Sequence, residues 1–163
     1  MKIAFWTSVL VVALDQALKW LVVVGLNLPE VLHIDVLPPV VALTMAWNRG
    51  VNFGLFADES QVLRWVLVVL PIVVSVWVWR WTRKEGARPV MQLAAGALIG
   101  GALGNAIDRA VWGAVADFLN VSCCGWTNPW AFNVADIAIF VGAFGLILAA
   151  GGKTPRDGGT GMG

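Results

Sequence analysis

Four long apolar stretches, separated by segments crowded with polar residues, prolines and glycines, set the plan of this chain. They lie at about 4–25, 60–81, 89–108 and 134–150. Each matches the roughly 17–25 residues that a helix needs to cross a hydrocarbon core. The segments between and after them, 26–58 and 109–133, are too polar and too broken to span, and are read as outer segments. The pattern predicts an all-α membrane protein: four transmembrane helices, a small extracytoplasmic β-cradle and a second outer loop.

The first stretch begins with Met1-Lys2 and an apolar run, as a signal peptide does. It is too long for one, contains Asp15 and Lys19 and lacks a small-x-small cleavage site, so it is expected to remain as the first helix. Asp15 and Lys19 stand four apart, acid before base, and share a helix face. A charge inside a membrane needs a partner and often marks function, although a paired ion can also serve structure alone.

In 26–58, Asn27, Pro29, Glu30, His33, Asp35, Pro38 and Pro39 break the apolar pattern. The β-type run Val40-Val41-Ala42-Leu43-Thr44-Met45 predicts a small sheet or cradle outside the bilayer. After it comes Asn48-Arg49-Gly50-Val51-Asn52-Phe53-Gly54. Gly50 and Gly54 permit close approach of a ligand, and the asparagines offer uncharged donors and acceptors. A turn-rich surface loop fits the same composition. His33 is the only histidine, reads as a surface residue and is a poor metal candidate.

The second stretch holds Pro71, a kink position, and ends in Trp79-Arg80-Trp81-Thr82-Arg83-Lys84, followed by Arg88. Positive residues gather on the cytoplasmic side, so this loop faces in, and Lys2, Lys153 and Arg156 agree with both ends inside. In the third stretch Gly96, Gly100 and Gly104 form a flat packing stripe, with Asn105, Asp108 and Arg109 beyond it at the outer end. Asn105 and Asp108 share a face if the helix persists, and a structural clamp by Asp108 and Arg109 is favoured over direct catalysis. In 109–133 Asp117 sits in an apolar setting that raises a carboxyl pKa. Cys123 and Cys124 are adjacent, and neighbours rarely bridge, so neither a disulfide framework nor a zinc site is expected. Trp126 and Trp130 read as interface anchors. Asn133 can cap the fourth helix, with Asp136 in its first turn at the positive end of the helix dipole.

Composition sharpens the class. Hydrophobic residues make up 59% and charged ones 13%, with a mean hydropathy of +0.79, against about 25% charged in a soluble domain. A net charge of +1 and the lack of a basic tract give no footing for nucleic acid. Residues 1–152 are read as a single domain and 153–163 as a disordered cytoplasmic tail. The candidate chemistry follows from the acids. Two carboxylates brought together can share one proton, the working state of an aspartic protease, and Asp117 and Asp136 differ in setting as acid and base roles require.

Five motifs carry a resemblance across nearly the whole chain: Asp15-Gln16-x-x-Lys19; Asn48-x-Gly50-x-x-Phe53-Gly54; Gly100-Gly101-Ala102-Leu103-Gly104-Asn105-x-x-Asp108-Arg109; Val115-x-Asp117-Phe118; and Phe132-Asn133-x-Ala135-Asp136. In that order they resemble lipoprotein signal peptidase (signal peptidase II), the bacterial membrane aspartic protease. The resemblance implies removal of the signal peptide from diacylglyceryl-modified prolipoproteins, with cleavage just before the lipidated cysteine. It makes Asp117 and Asp136 the catalytic dyad, with Asn48, Asn105, Arg109 and Asn133 positioning peptide and dyad. Asp15, Lys19 and Asp108 fall at support positions, and Gly50 and Gly54 keep the cradle close to substrate. It implies no metal or organic cofactor. The expected partners are prolipoproteins and membrane lipids, the expected state a monomer, and the expected site the outer face of the bacterial inner membrane. Two departures lie in the second outer loop: Pro129 stands three residues before Phe132, and the Cys123-Cys124 pair is outside the motif set. The alternative is a small carrier with polar residues lining a path, which needs ionisable groups spread through the bilayer depth. A presenilin-type protease needs a Gly-x-Gly-Asp motif, which does not occur.

Overall fold

The computed structural model describes residues 1–50, 61–85, 88–123, 125–126 and 128–151. Helix α1 (Lys2–Trp20) widens at its end into a π-helical turn, Leu21–Gly25, where Leu26 N donates to Leu21 O at 2.8 Å. Asn27, at φ 49°, reverses the chain into the short helical turn α2 (Leu28–Val31). Strands β1 (His33–Leu37) and β2 (Val41–Asn48) follow, then α3 (Gln61–Lys84), α4 (Pro89–Val111), β3 (Val115–Val121) and α5 (Val134–Gly151). Four helical segments, Lys2–Gly25, Gln61–Lys84, Pro89–Val111 and Val134–Gly151, are long and apolar enough to cross a membrane. A helix satisfies its own backbone, the only open-chain solution where no water is present to do so.

The expected cradle is there, with one strand more than the hydropathy pattern suggested. An antiparallel sheet runs β1-β2-β3, and its third strand comes from the second outer segment. In its register Asn48 lies opposite Val115, and Ala46 opposite Asp117. Val115, Ala116, Asp117 and Phe118 are all buried, so this strand lacks the in-out alternation that marks a half-exposed one. Val22, Leu28 and Phe118 form a small core between the sheet and the end of α1.

Helix α4 is the centre of the bundle: 61% of its span is buried, against 17–22% for the other three. It packs on α1, α3 and α5. Lipid tails are as apolar as leucine, so helices in a bilayer associate through close packing rather than water exclusion. The glycines supply that closeness. A Cβ on Gly96 would lie 2.6 Å from Ala4 O, one on Gly100 2.7 Å from Val11 Cβ, and one on Gly104 2.7 Å from Asp15 Oδ2. On the opposite side Gly101 lies against Ala135 O, and Gly142 of α5 lies against Leu98 N and Ala94 O of α4.

One expectation is overturned. Cys123 is disulfide-bonded, in a chain of two cysteines. It sits in a reversal closed by Trp126 N donating to Cys123 O at 2.9 Å, with Gly125 at φ 82°.

Gly100→Leu is expected to destabilise the fold by about 1–3 kcal/mol through overpacking against α1. Gly151→Ala, where a Cβ meets nothing within 4 Å, is the control. Thermal unfolding in detergent should show a lower Tm for the first and an unchanged one for the second.

Candidate active site

The polar residues of five elements converge at the outer end of the bundle. Helix α4 continues through Val111, so Asn105, Asp108 and Arg109 are all helical, and Asn105 and Asp108 turn to one side. Strand β3 delivers Asp117 from the sheet, and α5 delivers Asp136 from its first turn. A reciprocal cap fixes the start of α5: Asp136 N donates to Asn133 Oδ1 at 2.9 Å, and Asn133 N donates to Asp136 Oδ2 at 3.2 Å. The carboxylate of Asp136 is therefore held by its own helix start.

Asn133 then reaches the other acid. Its Nδ2 donates to Asp117 Oδ1 at 2.6 Å and to Asn105 Oδ1 at 3.3 Å. Asn48, at the end of β2, donates through Nδ2 to Asp117 Oδ2 at 3.1 Å. Asn105 completes the link, donating from Nδ2 to Asp136 Oδ1 at 2.8 Å. Its amide has one workable orientation, because its Oδ1 faces both Lys19 Nζ (3.1 Å) and Asn133 Nδ2. Asn133 and Asn105 thus bridge the two acids, and Asn48 holds Asp117 from the sheet, without adding charge.

Asp117 is 5% exposed, and burial, followed by repulsion from Asp136, pushes its carboxyl up to about 6. Hydrogen bonds from Asn48 and Asn133 and the charge of Lys19 work the other way. Arg109 lies within electrostatic reach of Asp117, Asp108 and Asp136. Its Nη1 donates to Asn105 O at 3.4 Å, while its buried Nε has no partner among the described residues.

Beneath the two acids lies a second polar layer. Asp15, Lys19 and Asp108 are 0% exposed, and Lys19 Nζ lies 2.8 Å from Asp15 Oδ2 and 2.7 Å from Asp108 Oδ2. Gly50, at φ 111°, donates from its N to Asn48 Oδ1 at 3.0 Å, which orients the amide that meets Asp117. Gly54 lies outside the described residues, as do Phe53 and Asn52. Trp126 and Trp130 are exposed, and His33 is an exposed strand residue bonded to Thr44 and Asp35.

The signal peptidase II family profile, described as "Signal peptidase (SPase) II", matches residues 7–151. The chain belongs to the signal peptidase II family. Lipoprotein signal peptidase of Methylorubrum extorquens (strain PA1) is 42% identical over 144 residues, which cover 88% of this chain and 82% of that protein. Its namesake in Pseudomonas aeruginosa (strain PAO1) is 39% identical over 147 residues, covering 88% and 84%. A solved structure described as a bacterial membrane enzyme, determined in meso at 1.9 Å, superposes with a TM-score of 0.79 at 25% identity, covering 94% of this chain and 96% of that one. A second, at 2.3 Å, shares the fold at 24% identity with a TM-score of 0.78, covering 100% and 96%. As a signal peptidase II family member the protein is a multi-pass membrane protease.

Two residues at this polar cluster were given no role in the sequence reading. Gln16 donates through Nε2 to Asp108 Oδ1 at 2.8 Å, a role hinted at by an amide beside an acid in an apolar helix. Arg64 of α3 donates from Nε to Arg109 O and from Nη2 to Ala110 O, both at 2.8 Å. It satisfies the Ala110 carbonyl and adds a second donor to Arg109 O, which already accepts from Gly113 N at 3.2 Å, and a lone cation near the start of an apolar span was its signal.

Asn48→Ala removes a donor that favours ionised Asp117, so the Asp117 carboxyl is expected to titrate above the wild-type midpoint of about 6. A carboxyl infrared or 13C titration of aspartate-labelled protein checks this; an unmoved or lowered midpoint contradicts it.

Proposed function

We propose that this protein removes the signal peptide from diacylglyceryl-modified prolipoproteins, cutting just before the lipidated cysteine, with Asp117 and Asp136 as an aspartic dyad. The observation that carries the reading is the single side chain of Asn133, which caps Asp136 through one atom and donates to Asp117 through another. Two carboxylates so joined are the minimum needed to activate water and protonate a peptide carbonyl together.

The proposed reaction runs through one shared proton. The ionised carboxylate takes a proton from a water molecule as its oxygen attacks the scissile carbonyl, while the protonated partner gives its proton to the carbonyl oxygen. The carboxyl group that received the water proton then donates it to the departing amine, the C–N bond breaks, and the diol proton returns to the other carboxylate. Asp117, with its carboxyl pushed up to about 6, is the member suited to hold the proton near neutrality. Asn48, Asn105 and Asn133 orient the pair, and Arg109 is suited to meet a substrate carbonyl. Asp15, Lys19 and Asp108 support from beneath, and Gly50 leaves room for the peptide at the cradle edge.

The site belongs, on this reading, to the outer face of the bacterial cytoplasmic membrane, with both termini inside and the whole of 1–152 acting as one domain. The basic residues Arg80, Arg83, Lys84 and Arg88 at the opposite end of the bundle support that orientation. The name of the relatives, lipoprotein signal peptidase, supports the substrate class.

Purified protein is expected to cleave a diacylglyceryl-modified prolipoprotein in detergent and to leave the unlipidated form intact. Asp117→Asn and Asp136→Asn, in folded protein, should each lower kcat by at least about 10²-fold, the lower end of what a positioned acid or base contributes. Cleavage that survives both substitutions removes the dyad; no cleavage by wild type returns the carrier reading. The kcat/KM of the wild type should fall as pH rises through about 6, where Asp117 gives up the proton that the carbonyl needs. A rate that holds constant from pH 5 to 8 would contradict that assignment.

A further inference from the structure

The two candidate catalytic aspartates are each preceded by an alanine whose backbone N–H does not serve the local ladder. Ala135 N donates to Asp15 Oδ1 at 2.9 Å, and Ala116 N donates to Asp108 Oδ2 at 3.2 Å. Both alanines are 0% exposed, so neither N–H has water as an alternative. The two accepting carboxylates are the ones that Lys19 joins. Building on the dyad reading above, we propose that Asp15, Lys19 and Asp108 form a gauge that sets the spacing of Asp117 and Asp136 by holding the peptide N–H before each.

The geometry gives the gauge its stiffness. An ammonium has three protons, and Lys19 spends them on Asp15 Oδ2 (2.8 Å), Asp108 Oδ2 (2.7 Å) and Asn105 Oδ1 (3.1 Å). Gln16 ties the same assembly across, donating to Asp108 Oδ1 at 2.8 Å, to Asp15 Oδ2 at 3.2 Å and to Gly104 O at 3.3 Å. Gly104 admits the Asp15 carboxylate where any Cβ would collide with it. Three positions of α1, Asp15, Gln16 and Lys19, therefore hold the start of α5 on one side and, through Asp108 of α4, the entry of β3 on the other.

A pure ion pair would need none of the backbone contacts, and a pure helix cap would need no lysine. The combination is what a spacing device requires: two grips and a rigid bar between them. The charged groups facing this assembly are Asp15 and Lys19 from α1, Asp108 and Arg109 from α4, Asp117 from β3 and Asp136 from α5. Asp15, Lys19 and Asp108 are positioning residues; none is required to touch substrate. A displacement of about 1 Å in one member of a reacting pair is worth about 10²-fold in rate.

Asp108 allows the test, because asparagine keeps an oxygen for Ala116 N–H and Lys19 and replaces only the oxygen that accepts from Gln16. Asp108→Asn and Asp108→Leu both remove the charge, so the difference between them isolates the grip. Asp108→Leu is expected to lower kcat by 10–100-fold, with KM within about twofold, and Asp108→Asn to recover most of that loss. Rates are taken per folded molecule, with Tm and near-UV circular dichroism measured alongside, and Asp108→Ala replaces the leucine variant if that one does not fold. Equal impairment of the Asn and apolar variants would overturn the gauge, and so would an apolar variant with wild-type kcat. Asp117→Asn run in parallel separates the two readings: if it still cleaves, the dyad falls; if it is inactive while the Asp108 variants match each other, only the gauge falls.

Discussion

Lys19 is a fully buried ammonium on a helix made for lipid, and the arrangement around it constrains everything else at the outer end of the molecule. An ion there is tolerable only with partners at bonding distance on every donor, and it has three, from two helices. Meeting that demand brings α1 and α4 together at one depth and one rotation. Removing the lysine would leave two buried carboxylates without a counter-charge where water cannot follow. The asparagines above inherit their orientation from this point, since the amide oxygen of Asn105 is claimed by Lys19 and its nitrogen is left for Asp136.

Close packing is the second condition. The carboxylate of Asp15 can sit against α4 only because position 104 is glycine, and the helices below approach each other over Gly96 and Gly100 for the same reason. Small residues at the interface and ions at its outer end are therefore one design. The glycines set how near the helices come, and the ions set where along their length they stop. Arg64 extends this to α3 by holding the last carbonyls of α4.

Much of the fold was legible in the chain because a bilayer permits so few answers: runs of spanning length had to be helices. The gathering of Asp15, Lys19, Asn105, Asp108, Asp117, Asn133 and Asp136 was legible too, since ionisable groups at one end of apolar runs are too costly to be incidental. Strand β3 was not, because both of its faces are covered and the alternation that reveals a strand vanished with its exposed positions. The role of Ala116 and Ala135 was equally hidden, since a backbone N–H leaves no mark in a sequence. Gln16 and Arg64 left faint marks, as polar side chains whose partners lie 92 and 45 residues away. The bonded state of Cys123 was misjudged, because adjacency alone was weighed.

The bond from Ala135 N to Asp15 spans 120 positions of the chain. It joins the first helix to be synthesised with the last. A nascent chain that has inserted α1, α3 and α4 still lacks Asn133 and Asp136. The polar cluster at the outer end is therefore completed in one step, when α5 takes its place beside α4.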